Sequence, residues 1–422
     1  MRSILALAAV AALTLAACGS DSESSSGADT TAPAAETTDA PATTEAPETT
    51  EAPAPETTEA PATTAAPETT TTEAPATTVA ETPAVTAADL AATGPYAVGV
   101  TTRALPEGNP VEVWYPATDA ARGGVDAYRV RDFLPPAIAD LIPADVNDSR
   151  SIDATRDAAV STDGPFPVVL FSHGASSFRL QSSVLAQHLA SWGMVVASTD
   201  HPSRDLLNQF GGTSEGQPPS VDDFRSMRTY LTTLDDDPIV GGALDNDRVA
   251  LGGHSAGGGT VVQMAGDDGI LGYVSYASGL GDEAPGVPSL FMAGELDAIV
   301  SPTERTVPAF ERAPAPSWLW SFADSGHLAF SDLCAVGDGN ATLIDLAEAA
   351  GLGAVIDDRL RTLGTDGCED PNRPVEEVWP GIHQATTGFY RWVFGIDEAP
   401  IGLDASVVTD GVTVTEKLAA AE

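Results

Sequence analysis

A short apolar run, Val249 to Leu251, leads into Gly253-His254-Ser255-Ala256-Gly257, and an apolar-periodic segment follows. The pattern predicts a strand, a tight turn with a serine at its tip, and a helix. Side chains two before and two after the serine would collide with the flanking strand and helix, and both positions are glycine. Such strain is retained where a serine must stand exposed at the end of a sheet. The feature suggests a nucleophile. The pattern alone arises readily by chance in a glycine-rich chain, so the partners of Ser255 decide its meaning.

The flanking sequence supplies a framework for those partners. Tyr96 to Thr102 and Val111 to Tyr115 alternate apolar and polar residues and read as an antiparallel strand pair. Buried parallel strands are expected at Phe166 to Phe171, Met194 to Ser198, Ile270 to Tyr276, Ser289 to Ala293 and Trp318 to Phe322. Helices are expected at Gln181 to Trp192, Val221 to Leu234, after Ser255, and from about His383 to Phe394. Strand and helix alternate from Phe166 onward, so the class is α/β: a mainly parallel sheet with helices on both faces. Right-handed crossovers then bring the loops after the strands to one edge.

A serine hydroxyl needs a base, a group that orients the base, and donors for the oxyanion. Of six histidines, His188 and His383 fall inside helices as surface or packing residues. His254 lies within the turn, with its side chain expected to point away from the active face. His173 and His201 follow strands but precede Ser255. His327, in Asp324-Ser325-Gly326-His327-Leu328 after the last strand, is the expected general base. The orienting acid is expected after Ser289 to Ala293, as Asp297, with Glu295 as its competitor. Ala256 N–H, at the start of the helix, supplies one oxyanion donor. Ala175 N–H, in Ser172-His173-Gly174-Ala175-Ser176, is expected to supply the second, with Gly174 or Ser176 as neighbours in register. His173 is expected to brace that loop. Arg204, His201 and Asp205 are further candidates for the pocket lining.

These residues resemble the α/β-hydrolase superfamily, and within it the dienelactone-hydrolase-like and platelet-activating-factor-acetylhydrolase-like group. The sharpest stretches are Val111-Glu112-Val113-Trp114-Tyr115-Pro116, Phe171-Ser172-His173-Gly174 with Phe178-Arg179, Gly253 to Gly258, and Gly326-His327. The resemblance implies the α/β-hydrolase fold and a serine esterase that needs no metal or other cofactor. It also implies a departure: in the acetylhydrolases the acid follows an earlier strand, where this chain has Tyr276-Ala277-Ser278. The Ser255 and His327 regions are also similar to bacterial cutinases and polyester hydrolases, which lack so large an insertion before Phe166.

The 422 residues divide into three parts. Residues 1–17 are one arginine and an apolar stretch too short for an ordinary membrane span. They end Leu15-Ala16-Ala17-Cys18, which resembles the lipobox of bacterial lipoproteins and implies cleavage before Cys18 and lipidation of its thiol. Residues 18–92 are almost wholly Thr, Ala, Pro, Glu, Ser and Asp, too poor in apolar side chains to bury a core. Fully extended, this tether reaches roughly 200 Å at ~3.1 Å per residue. Residues 93–422 form the hydrolase domain, with insertions at about 117–164 and 331–380. The first carries an apolar segment, Phe133 to Ile142, expected to be helical. With Cys18 taken by lipid, Cys334 and Cys368 remain for one disulfide in an oxidising compartment.

The formal charge is -42. No Lys or Arg occurs between Gly19 and Thr102, and Lys417 is the single lysine. Nucleic acid is therefore excluded as an expected partner, since phosphates need cations. The expected partners are an ester substrate (small-molecule, lipid or polymer) and the membrane through the lipid on Cys18. The expected reaction is hydrolysis of short- to medium-chain acyl or aryl esters outside the cell. A non-catalytic surface binding protein on the same fold is the rival class.

Overall fold

The computed structural model describes residues 85–279, 281–339, 341–406 and 410–418. The leader, Cys18 and the tether up to residue 84 lie outside the described residues. The folded part begins before residue 93. Thr86 caps a short helix, Ala87–Leu90, and Leu90 is fully buried, so the last residues assigned to the tether are packed. Leu90 O accepts a hydrogen bond from His188 Nε2 at 3.0 Å. His188 in turn stacks on His383 with centroids 4.0 Å apart, so both histidines serve packing.

Among the described residues, ten strands form one sheet, in the order β12-β11-β10-β9-β8-β6-β7-β2-β1-β5. Its parallel centre consists of β7 (Val195–Thr199), β6 (Phe166–Ser172), β8 (Leu244–His254), β9 (Ile270–Tyr276), β10 (Ser289–Gly294) and β11 (Ser317–Phe322). The expected antiparallel pair is β1 (Ala97–Ala104) and β2 (Pro110–Ala117), which continues the sheet beyond β7. Strand periodicity sends alternate side chains to opposite faces. Val169 and Phe171 of β6 thus join a core with the helices Ser183–Ser191 and Val375–Val393. Val168 and Leu170 join a second core with Ser220–Leu231 and Ala256–Met264. Both faces are covered, as in the α/β-hydrolase fold.

Three local expectations need correction, and one strand lies outside them. Phe133 to Ile142 is not one helix: a 3-10 turn, Val130–Phe133, precedes a four-residue helix, Pro136–Ala139. Leu134 precedes two prolines and is extended, as a residue before proline prefers. The last helix starts at Val375, eight residues early, and carries Pro380 inside it. The carbonyl left without its intrahelical donor belongs to Glu376, which is exposed. The 331–380 insertion therefore ends near residue 374. Finally, β12 (Val412–Lys417) pairs antiparallel with β11 at the sheet edge. Its Val-Thr-Val-Thr alternation was the signal available for it.

Insertion 117–164 adds a two-stranded sheet, β3 (Asp126–Arg129) with β4 (Ser149–Ile152), and a short strand, β5 (Thr155–Arg156), beside β1. Its apolar segment is fastened down: Phe133 stacks on Phe178 with centroids 4.2 Å apart, and Arg179 lies over the same ring.

Asp332 opens the second insertion and is buried. Its Oδ2 accepts from Ser183 Oγ at 2.5 Å and from Val184 N at 3.2 Å. Burial nevertheless pushes its pKa from 3.8 up to about 7. The folded state then binds this proton more tightly than the unfolded chain, so this group's contribution to stability falls as pH rises from about 4 to about 7 and is level above. Asp332→Asn is expected to flatten that slope, measured as the urea midpoint across this pH range.

Candidate active site

Ser255 sits between β8 and the helix Ala256–Met264 with φ 55° and ψ -122°, a conformation side chains rarely adopt. The glycines around it are dictated by contact. A Cβ on Gly253 would stand 2.4 Å from Gly257 O, and one on Gly257 would stand 2.0 Å from Ser172 O. The first clash is with the elbow's own helix. The second is with the end of β6, which the local sequence does not reveal. Ser255 N donates to Tyr276 O at 2.9 Å, tying the elbow to β9.

His327 and Asp297 meet across two loops. His327 Nδ1 lies 2.8 Å from Asp297 Oδ2, and both side chains are buried. Asp297 Oδ1 accepts from Ile299 N at 2.9 Å and Val300 N at 2.7 Å, so the carboxylate is held at both oxygens. This fixes Nδ1–H as the donor and leaves Nε2 of His327 as the basic nitrogen. Glu295 is exposed and has no such partner role; the structure brings Asp297 to the histidine.

His254 departs from expectation. It is buried under the base loop, with its ring 4.8 Å from that of His327 and its Nε2 donating to His327 O at 3.1 Å. Its Nδ1 accepts from Gln181 Nε2 at 2.7 Å. Gln181 Oε1 accepts from Gly174 N at 2.8 Å, so one amide links the β6 loop to the base loop. Burial holds His254 well below the usual histidine pKa, which keeps it neutral and suits these roles.

In the loop after β6, Gly174 N is taken by Gln181, and Ser176 N donates to Arg204 O at 2.9 Å. Of the three neighbouring amides in register, Ala175 N–H is the one left over, and Ala175 is exposed. Ala256 N–H, at the helix N-terminus, is the other candidate donor. His173 braces the loop as expected: Nδ1 donates to Gly174 O at 2.7 Å, and Nε2 accepts from His201 N at 3.0 Å. His201, Arg204 and Asp205 do not have the anticipated common role. His201 is fully buried, Arg204 contacts Ser172 and the elbow helix, and Asp205 caps the helix Leu206–Gly211.

Asp366 is a residue the sequence did not single out. Its Oδ2 accepts from His327 N at 3.2 Å and from Ala298 N at 3.0 Å, joining the base loop to the acid loop. Leu328 N donates to Asp366 O at 2.8 Å. The disulfide Cys334–Cys368 is formed and anchors this segment two residues away. The pairing was expected; its use as a clamp on His327 was not. Asp366→Ala is expected to lower kcat about tenfold through misplacement of His327, and reduction of the disulfide to lower it by a smaller factor. Steady-state kinetics with and without reductant measure both. Undiminished kcat in both cases would show that packing alone holds the base loop.

Residues 92–209 match the family model for platelet-activating factor acetylhydrolase, isoform II. The matched segment runs from just before β1 through the β6 loop to the helix Leu206–Gly211 and ends before Ser255. A platelet-activating factor acetylhydrolase from Cavia porcellus is 24% identical over 197 residues, covering 38% of this chain. The chain spans 44% of that relative's length.

Proposed function

We propose that this α/β hydrolase, similar over residues 92–209 to the platelet-activating-factor-acetylhydrolase-like group, is a serine carboxylic-ester hydrolase. The observation that carries the reading is the His327–Asp297 pair at 2.8 Å, on the strand-end edge that also presents the strained Ser255. In this mechanism Ser255 Oγ attacks the ester carbonyl as His327 Nε2 takes its proton. Ala256 and Ala175 N–H groups receive the oxyanion. His327 then protonates the leaving alcohol and later activates the water that frees Ser255, while Asp297 stabilises the transient imidazolium.

The proposed substrates are short- to medium-chain acyl or aryl esters, met outside the cell by an enzyme tethered through lipid on Cys18. A fluorophosphonate probe and a panel of p-nitrophenyl esters of rising chain length test the chemistry. Short-acyl phospholipid and polyester film in the same panel separate a lipid acetylhydrolase from a cutin-type hydrolase. Folded protein that neither takes the probe nor cleaves any ester would instead favour a non-catalytic surface binding protein on this fold.

A further inference from the structure

Arg204, on the turn after β7, touches both sides of the candidate oxyanion site. Its Nη2 donates to Ser172 Oγ at 2.7 Å, and its backbone carbonyl accepts from Ser176 N at 2.9 Å, so it grips the loop carrying Ala175. Its Nη1 donates to Ala256 O at 3.2 Å and to Thr260 Oγ1 at 2.7 Å, so it also grips the first turn of the elbow helix. Nε is sealed from solvent without a partner.

Every acceptor of this guanidinium is neutral: two hydroxyls and a backbone carbonyl. Asp223, the carboxyl with which it interacts electrostatically, is separated from it by a relay. Ser172 Oγ lies 2.8 Å from His201 Nε2, and His201 Nδ1 lies 3.4 Å from Asp223 Oδ2. Arg204 is half-buried, and a cation partly withdrawn from water without a contacting anion carries a cost. Here it bonds the two segments that carry the amides at which negative charge would develop. A fold that carries this cost at an oxyanion site gains from it in the transition state and not in the bound ester, because only the former is charged.

Resting on the esterase reading, we infer that Arg204 is the positioning residue of the oxyanion hole. It sets the separation of Ala175 and Ala256 and biases both amides toward the charged tetrahedral state.

The test compares Arg204→Met and Arg204→Lys with the wild-type protein. Arg204→Met is expected to lower kcat by about 100-fold with KM nearly unchanged, and Arg204→Lys to recover much of the loss. A trifluoromethyl ketone, which forms an oxyanion on Ser255, is expected to lose affinity for Arg204→Met in parallel with kcat. Its methyl ketone counterpart is expected to bind as before. Should Arg204→Met fail to fold, Ser172→Ala keeps the charge and frees Nη2; kcat is then expected to fall roughly fivefold at constant KM. A folded Arg204→Met with wild-type kcat, equal loss in both ketones, or an unchanged Ser172→Ala would overturn the inference. A wild-type protein inert to ester and fluorophosphonate would instead remove the esterase reading itself.

Discussion

Replacing Ser255 with alanine is expected to abolish ester cleavage, with kcat lowered by about 10⁴- to 10⁶-fold, while the fold persists. The mutation removes one oxygen from a side chain that bears no described structural hydrogen bond, and the backbone tie from Ser255 N to Tyr276 O remains. Fluorophosphonate labelling should disappear in step with activity. Alanine retains a Cβ at φ 55°, so the backbone strain stays. Ser255→Gly removes that strain, of about 1–3 kcal/mol, and should melt above Ser255→Ala. Calorimetry on the two inactive variants measures what the elbow costs the fold. Residual hydrolysis in Ser255→Ala near the wild-type rate would refute the mechanism.

Gly257→Ala is expected to be the most damaging small substitution in the elbow. The added methyl would lie 2.0 Å from Ser172 O and 2.8 Å from His173 O, both backbone atoms that no side-chain rotation can move away. The end of β6 has to shift, and with it the loop that carries Ala175. Overpacking against backbone costs about 3 kcal/mol, lowering Tm by roughly 6–12 °C for a large domain. Activity should fall further than stability explains. Gly266→Ala is the matched control, since a Cβ there meets nothing within 4 Å. Equal Tm values for the two variants would show that the elbow tolerates a side chain.

Much of this architecture is legible in the sequence because one face of each element must be buried. Val168 to Phe171 read as a two-sided strand since both faces of the sheet are covered. Ser255, Asp297 and His327 can be picked out because each follows a strand, and parallel strands deliver their ends to one edge. Other features depend on contacts between distant segments. Asp366 is an ordinary acidic residue until Cys334–Cys368 brings it to His327. Arg204 stands near the right strand, but its role requires knowing that the β6 loop and the elbow helix converge on it. Gln181 looks like a helix-start residue, whereas it bridges Gly174 and His254. Pro380 reads as a helix boundary, yet an exposed first turn tolerates it. The apolar segment Phe133 to Ile142 has the composition of a helix, and its prolines decide otherwise.

The segment closed by Cys334 and Cys368 also has a modular character. Its two ends are joined to each other by the disulfide, and Asp366 pins them to the loop of His327. Between them, the helices Leu343–Ala349 and Asp358–Thr365 lean on one another through Ile344 against Gly364 and Arg361 against Glu348. Val336 and Leu346 seat this self-closed piece of chain in the main core, so the surroundings of the histidine hang on fixed points: the disulfide, Asp366 and those two side chains.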